Sequence, residues 1–130
     1  MDGNNNNKFN GAVSRFYQKK SVFITGATGF MGKVLVHKLL VSCPLLETIY
    51  VLIRSKRGMG PQDRLQDLFS APIFESIVDT SILEKVVVLT GDISLPQLGL
   101  SDSDIDTIVN QVSVIFHSAA TVRFDEELSK

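Results

Sequence analysis

The stretch Ser21-Val22-Phe23-Ile24-Thr25-Gly26-Ala27-Thr28-Gly29-Phe30-Met31-Gly32 changes character twice along its length. Ser21 to Thr25 is a β-branched and aromatic run stopped at once by glycine, the pattern of a short buried strand rather than a helix. After it, Met31, Val34, Leu35 and Leu39 recur at helical spacing, and Pro44 forbids continuation, so a helix is expected through about Ser42. The segment reads as strand, tight turn and helix. Gly26, Gly29 and Gly32 fall within the turn at the spacing G-x-x-G-x-x-G. In that context Gly26 permits the turn out of the strand, Gly29 lets backbone approach a pyrophosphate, and Gly32 allows close packing of the helix. The helix start adds unpaired N–H groups and a positive dipole end. A Walker A loop is excluded, because Val34 stands where a magnesium-binding Ser or Thr is required and Ala27 occupies the first glycine position.

Working outward, Ile49-Tyr50-Val51-Leu52-Ile53 is a second strand, apolar on both faces as a covered parallel strand must be. It completes a βαβ unit. About 20 residues past the glycines an NAD site would offer Asp or Glu to the ribose 2′-hydroxyl, but Arg54 stands there, with Lys56 and Arg57 in the same loop. A guanidinium attracts a 2′-phosphate and leaves an NAD ribose without its acceptor, so NADP(H) is the expected cofactor. Gly58, Gly60 and Pro61 mark a loop and the start of a helix carrying Leu65, Leu68 and Phe69, which Pro72 interrupts. A weaker amphipathic stretch follows from about Ile73 to Leu83, then a third strand at Val86-Val87-Val88-Leu89. Asp92, just past that strand in Gly91-Asp92-Ile93, puts a carboxylate at the edge where ligands bind in open α/β sheets. It can accept from the adenine amine or cap the following turn. Ser101 and Asp104 form a capping pattern opening a further helix with Ile105, Ile108 and Val109 on its inner face, and Val114-Ile115-Phe116 is the fourth strand. His117-Ser118-Ala119-Ala120 ends it, with small side chains that let backbone lie against a cofactor ribose. His117 lacks a second ligand or carboxylate at useful spacing and reads as a structural histidine, and His37 as an exposed face residue. Alternation of strands and helices predicts an α/β fold, a partial Rossmann-type parallel sheet of four strands in the order 3-2-1-4 with flanking helices.

Composition narrows the function classes. Thirteen basic against 14 acidic residues give a net charge of −1 with no basic cluster, so nucleic acid is not an expected partner. Cys43 is the only cysteine, which excludes an internal disulfide and a multi-cysteine metal site. Residues 1–15, with Asn4 to Asn7, read as a loose arm without the apolar core of a signal peptide. No run approaches the roughly 18–20 apolar residues needed to span a bilayer. No metal is expected.

The runs KSVFITGATGFMGKVLVHKLL, IYVLIR, VVVLTGDIS and VIFHSAATVRFDE resemble the amino-terminal part of alcohol-forming fatty acyl-CoA reductases, a branch of the extended short-chain dehydrogenases. The likeness covers residues 16–127. It implies NADPH-dependent reduction of a long-chain fatty acyl-CoA to a primary alcohol through an aldehyde, in lipid biosynthesis on the cytosol-facing side of endoplasmic reticulum or peroxisomal membranes. Carried over by position, Gly26, Thr28, Gly29, Phe30, Met31 and Gly32 match the family's pyrophosphate turn, Arg54 its 2′-phosphate contact, and Asp92 with Ile93 its adenine pocket. Ala119, Ala120 and Thr121 match the stretch beside the nicotinamide ribose. Met31 replaces a usual leucine and His37 a common acidic residue.

The family's Tyr-x-x-x-Lys pair has no counterpart here. Tyr17 is followed four residues on by Ser21 and Tyr50 by Arg54, so no catalytic residue is expected in this chain. The reading is an amino-terminal fragment, with residues 16–130 forming half of an NADP-binding Rossmann domain that carries the ADP-half site. A thioester-reductase domain of a carrier-protein assembly line and a non-catalytic NADP(H)-binding module are the alternatives. The short arm speaks against the first, since such domains follow other modules. On the fragment reading, the fourth strand is an apolar edge prone to aggregation. The isolated chain is then expected neither to unfold cooperatively nor to bind NADPH tightly.

Overall fold

The computed structural model describes residues 15–54 and 57–117. The first strand, β1 (Ser21–Thr25), is buried at every position and forms the middle of the sheet. Helix α1 (Phe30–Ser42) returns the chain to β2 (Thr48–Ile53), and α2 (Pro61–Phe69) leads towards β3 (Val86–Thr90). Helix α3 (Asp102–Gln111) then carries the chain back across β1 to β4 (Val112–His117). All three strand pairings are parallel and the order is β3-β2-β1-β4, as the sequence implied.

Progression from β1 to β3 in one direction, followed by return to the opposite side of β1, puts the crossover helices on different faces when every crossover is right-handed. The core divides accordingly. Val22 and Ile24 of β1 pack with Val36, Leu39, Leu40, Leu65 and Leu68 beneath α1 and α2. Phe23, pointing the other way, packs with Leu52 and Leu89 against Leu100 and Ile108 on the α3 side. The α3 face is the thinner one. Helix α3 buries no residue completely, and Val109, expected on its inner face, is 73% exposed. Ser101 caps α3 as its pattern suggested, with its hydroxyl accepting from the Asp104 N–H at 3.1 Å.

Two local features sharpen the sequence reading. The amphipathic stretch over 73–83 forms two short 3-10 turns, Pro72–Ser76 and Thr80–Lys85. Pro72 starts the first, and the buried Phe74 and Ile77 stand three residues apart, a spacing that suits three residues per turn. Asp79 starts the second by accepting from the Ser81 N–H at 3.1 Å. His37, in turn, is not a free surface residue: its Nε2 is 2.9 Å from the Ser76 hydroxyl and its ring stands edge-on to Phe74, tying α1 to the first turn.

The decisive contact lies at the start of α1. A Cβ on Gly32 would sit 2.0 Å from the Gly26 carbonyl oxygen and 2.6 Å from the Ala27 Cα, so the helix rests directly on the backbone of the turn. Gly26 makes that turn at φ +77°, in the left-handed region. Gly29 differs from both. A Cβ there would meet nothing nearer than 3.5 Å, and φ −78° suits any residue.

Two outcomes follow from this packing. Gly32→Ala should overpack the turn by roughly 2 kcal/mol, accelerating hydrogen exchange of the α1 amides roughly 30-fold, while Gly29→Ala should change it by less than about fivefold. Equal effects of the two substitutions would contradict the contact. Ile115 of β4 is 61% exposed at the sheet edge, so Ile115→Lys should reduce concentration-dependent association in light scattering without weakening β4 protection.

Candidate cofactor site

Parallel strands deliver all their C-terminal ends to one edge, and the turns leaving β1, β2 and β3 meet there around a cleft of about 190 Å³. Gly26 and Thr28 contribute from the first turn, Arg54 from the end of β2, and Asp92 with Ile93 from the end of β3. Leu52 and Gly91 form its floor and Arg64 of α2 closes one side. Residues predicted from three separate stretches of sequence thus share one concavity.

The turn after β1 has the features an anion site needs. Gly29 is the N-cap of α1 and supplies no side-chain cap, leaving the first-turn amides of Phe30, Met31 and Gly32 without an intrahelical acceptor. Phe30 and Met31 are 78% and 63% exposed, so it is backbone rather than side-chain burial that defines this turn. Because the protein's own packing does not require glycine at position 29, the bare face there stands open for an approaching group. A pyrophosphate fits that space on these grounds.

At the next strand end, Arg54 holds its guanidinium 72% exposed, with Nη1 3.8 Å from Asp92 Oδ2. An exposed pair at that length contributes less than about 1 kcal/mol and can exchange for a phosphate. Arg64 was not singled out by the sequence. Its Nη1 donates to the Arg54 backbone carbonyl oxygen at 2.5 Å, which brings a second arginine to the end of β2. The available signal was Pro61: by fixing the helix start it places Arg64 in the first turn of α2, close to the loop it left.

Past β3 the chain winds tightly. A Cβ on Gly91 would lie 2.3 Å from the Leu98 carbonyl oxygen and 2.6 Å from Leu52, and the Asp92 N–H donates to that same carbonyl at 2.7 Å. Gln97 and Leu98 hold φ of +52° and +58°, a left-handed conformation uncommon for side-chain-bearing residues. Asp92 Oδ1 accepts from both the N–H and the hydroxyl of Ser94, at 2.9 and 2.7 Å. These two hydrogen bonds, with Arg54 adding to them, hold the Asp92 carboxyl below the usual aspartate range. Asp92 therefore does cap its turn through Oδ1, while Oδ2 stands 3.8 Å from Arg54 Nη1.

His117 Nδ1 lies 2.8 Å from the hydroxyl of Thr25, its register partner on β1, in keeping with a structural histidine. Cys43 is buried at the end of α1, where burial pushes its thiol up, away from nucleophilic use. Ala119, Ala120 and Thr121, with Lys56, lie outside the described residues. Among the described residues no group of three His, Cys, Asp or Glu is placed to hold a metal, and no helix is long and apolar enough to cross a membrane.

The chain resembles known proteins in both sequence and fold. The chain is 44% identical over 119 residues to fatty acyl-CoA reductase 1 of Xenopus laevis and 42% identical to that of Homo sapiens. It is also 43% identical over 118 residues to the fatty acyl-CoA reductase wat of Drosophila melanogaster. These alignments take in 89–90% of the chain but only 23% of each relative, so the chain spans about a quarter of their length. Among solved structures, the reductase domain of a non-ribosomal peptide synthetase from Mycobacterium tuberculosis superposes with a TM-score of 0.67 at 28% identity, over 82% of this chain and 25% of that one. The PhqB reductase domain from Penicillium fellutanum superposes at 0.64 with 30% identity, over 92% of this chain and 33% of that one. Residues 24–130 match the NAD-binding family described as Male sterility protein, and with the glycine turn, the parallel sheet and the shared cleft in agreement, the chain belongs to that family.

Proposed function

We propose that this chain is the part of an NADPH-dependent fatty acyl-CoA reductase that holds the adenosine and pyrophosphate half of the cofactor. One observation carries the cofactor choice. Arg54 occupies the place of the ribose-binding carboxylate, and Arg64 stands against the Arg54 carbonyl in the same cleft. A guanidinium at the strand end where an NAD ribose would need a carboxylate, with a second arginine lining the same cleft, would favour a 2′-phosphate by charge-assisted, bidentate contacts. The glycine turn would receive the pyrophosphate, with Thr28, Gly29, Phe30 and Met31 around it, and Asp92 with Ile93 would receive the adenine.

When bound, NADPH supplies hydride. In the whole protein, a first transfer would convert the acyl thioester to aldehyde with release of CoA thiol, and a second would convert aldehyde to primary alcohol. The identity of the curated relatives supports acyl-CoA as the substrate class. A second reading, reduction of a thioester tethered to a carrier protein, is favoured by the solved neighbours, which are reductase domains of peptide-synthetase and related pathways. Both readings share the cofactor site argued here. By family resemblance the whole protein would work against an endoplasmic reticulum or peroxisomal membrane.

An NMR shift titration with adenosine 2′,5′-bisphosphate and adenosine 5′-monophosphate tests the cofactor choice. The wild-type chain should prefer the bisphosphate, Arg64→Gln should reduce that preference roughly 10-fold, and Arg54→Asp should remove it. Unchanged preference for the 2′-phosphate in Arg54→Asp sinks the assignment. With neither tyrosine followed by lysine at the required spacing, the chain alone should show no acyl-CoA-dependent NADPH oxidation in a spectrophotometric assay.

A further inference from the structure

We infer that Ser94 is a positioning residue for nucleotide selection, holding the Asp92 carboxylate so that Oδ2 alone is offered to the 6-amino group of the purine. The inference rests on the adenine reading of Asp92 given above. A carboxylate on a single-bonded stem can rotate, and a neighbouring guanidinium is the strongest competitor for both of its oxygens. Ser94 removes that freedom by placing two donors, its N–H and its hydroxyl, on the same Oδ1 at 2.9 and 2.7 Å. The turn that presents Ser94 is itself held. Asp92 donates to the Leu98 carbonyl at 2.7 Å, Leu95 donates to the Asp92 carbonyl at 3.0 Å, and Gly91 is pressed against Leu98 with no space for a side chain.

Oδ2 is the oxygen left over. It stands 3.8 Å from Arg54, beyond the roughly 2.7–2.9 Å of a charge-assisted hydrogen bond, so it keeps acceptor capacity on a residue that lines the cleft. The basic side chains lining the same cleft are Arg54 at the end of β2 and Arg64 on α2. Loss of the Ser94 hydroxyl leaves Oδ1 a single donor and allows the carboxylate to swing towards Arg54. The acceptor would then be spent on the arginine. The depressed Asp92 carboxyl fits this arrangement, since the Ser94 bonds are its leading cause.

The test compares adenosine 2′,5′-bisphosphate with purine riboside 2′,5′-bisphosphate, which lacks only the 6-amino group, by NMR shift titration of the chain. Wild type should favour the adenosine compound roughly 10-fold. Ser94→Ala should cut that ratio to about twofold or threefold, and Ser94→Thr, which keeps the hydroxyl, should restore it. Ser94→Cys keeps the volume without the strong donor and should behave as alanine does, providing a second variant if Ser94→Ala does not fold. In Ser94→Ala the Asp92 carboxyl should also titrate at higher pH than in wild type. A merely structural serine would weaken both ligands equally and leave the ratio intact, which overturns the inference. A wild-type chain that binds both compounds equally overturns it too, while leaving the Arg54 assignment standing. Wild type is expected to bind both compounds weakly, so the titration follows shift changes at high ligand concentration, and the absence of any shift with either compound overturns the cofactor reading as well.

Discussion

The close approach of Gly32 to the backbone of Gly26 and Ala27 is the contact on which the rest of this structure depends. It sets α1 directly on the turn that leaves β1, so the helix axis, the turn and the central strand form one unit with no side chain between them. The apolar face of α1 then meets Val22 and Ile24 on one side and the first 3-10 turn on the other. Any Cβ at position 32 would lift the helix start, and with it the unpaired amides that make the turn attractive to an anion. Packing and binding chemistry are therefore satisfied by one small residue, while the neighbouring Gly29 is spared any packing duty.

The parallel sheet does the remaining assembly. Every strand ends at the same edge, so residues as far apart in sequence as Gly26 and Ile93 are brought to a single cleft without a dedicated binding loop. Its electrostatics are asymmetric. Arg54 and Arg64 gather at the β2 side, whereas Asp92 is confined by Ser94 and stands slightly too far from Arg54 to form a tight pair. A loosely held ion pair keeps both partners available to an incoming ligand. The cost of that arrangement falls on the loop after β3, where Gln97 and Leu98 adopt left-handed conformations that local sequence does not favour.

Strand and helix identities were legible because burial imposes period: β1 is apolar throughout, and α1 repeats its apolar residues until Pro44. The glycine turn was legible for a related reason, since only glycine meets the steric demands at Gly26 and Gly32. Arg54 was found by comparing a strand end with the residue an NAD ribose would need. Less local features escaped. The segment over 73–83 is weakly patterned, and it forms 3-10 turns whose Phe74 and Ile77 join the core beneath α1. Val109 had the right spacing for an inner face, yet it is exposed among the described residues.

By itself the sequence determined the βαβ frame, the strand order and the chemistry of the pyrophosphate turn, because those follow from periodicity, chain reversal and the absence of a Cβ. Tertiary structure alone decided that Arg64 joins Arg54 and that Ser94 restrains Asp92. Both depend on how far a side chain reaches across a gap between elements, and that distance exists only after the helices have been seated on the sheet. The physical division is between constraints that act along the chain and contacts that act across it.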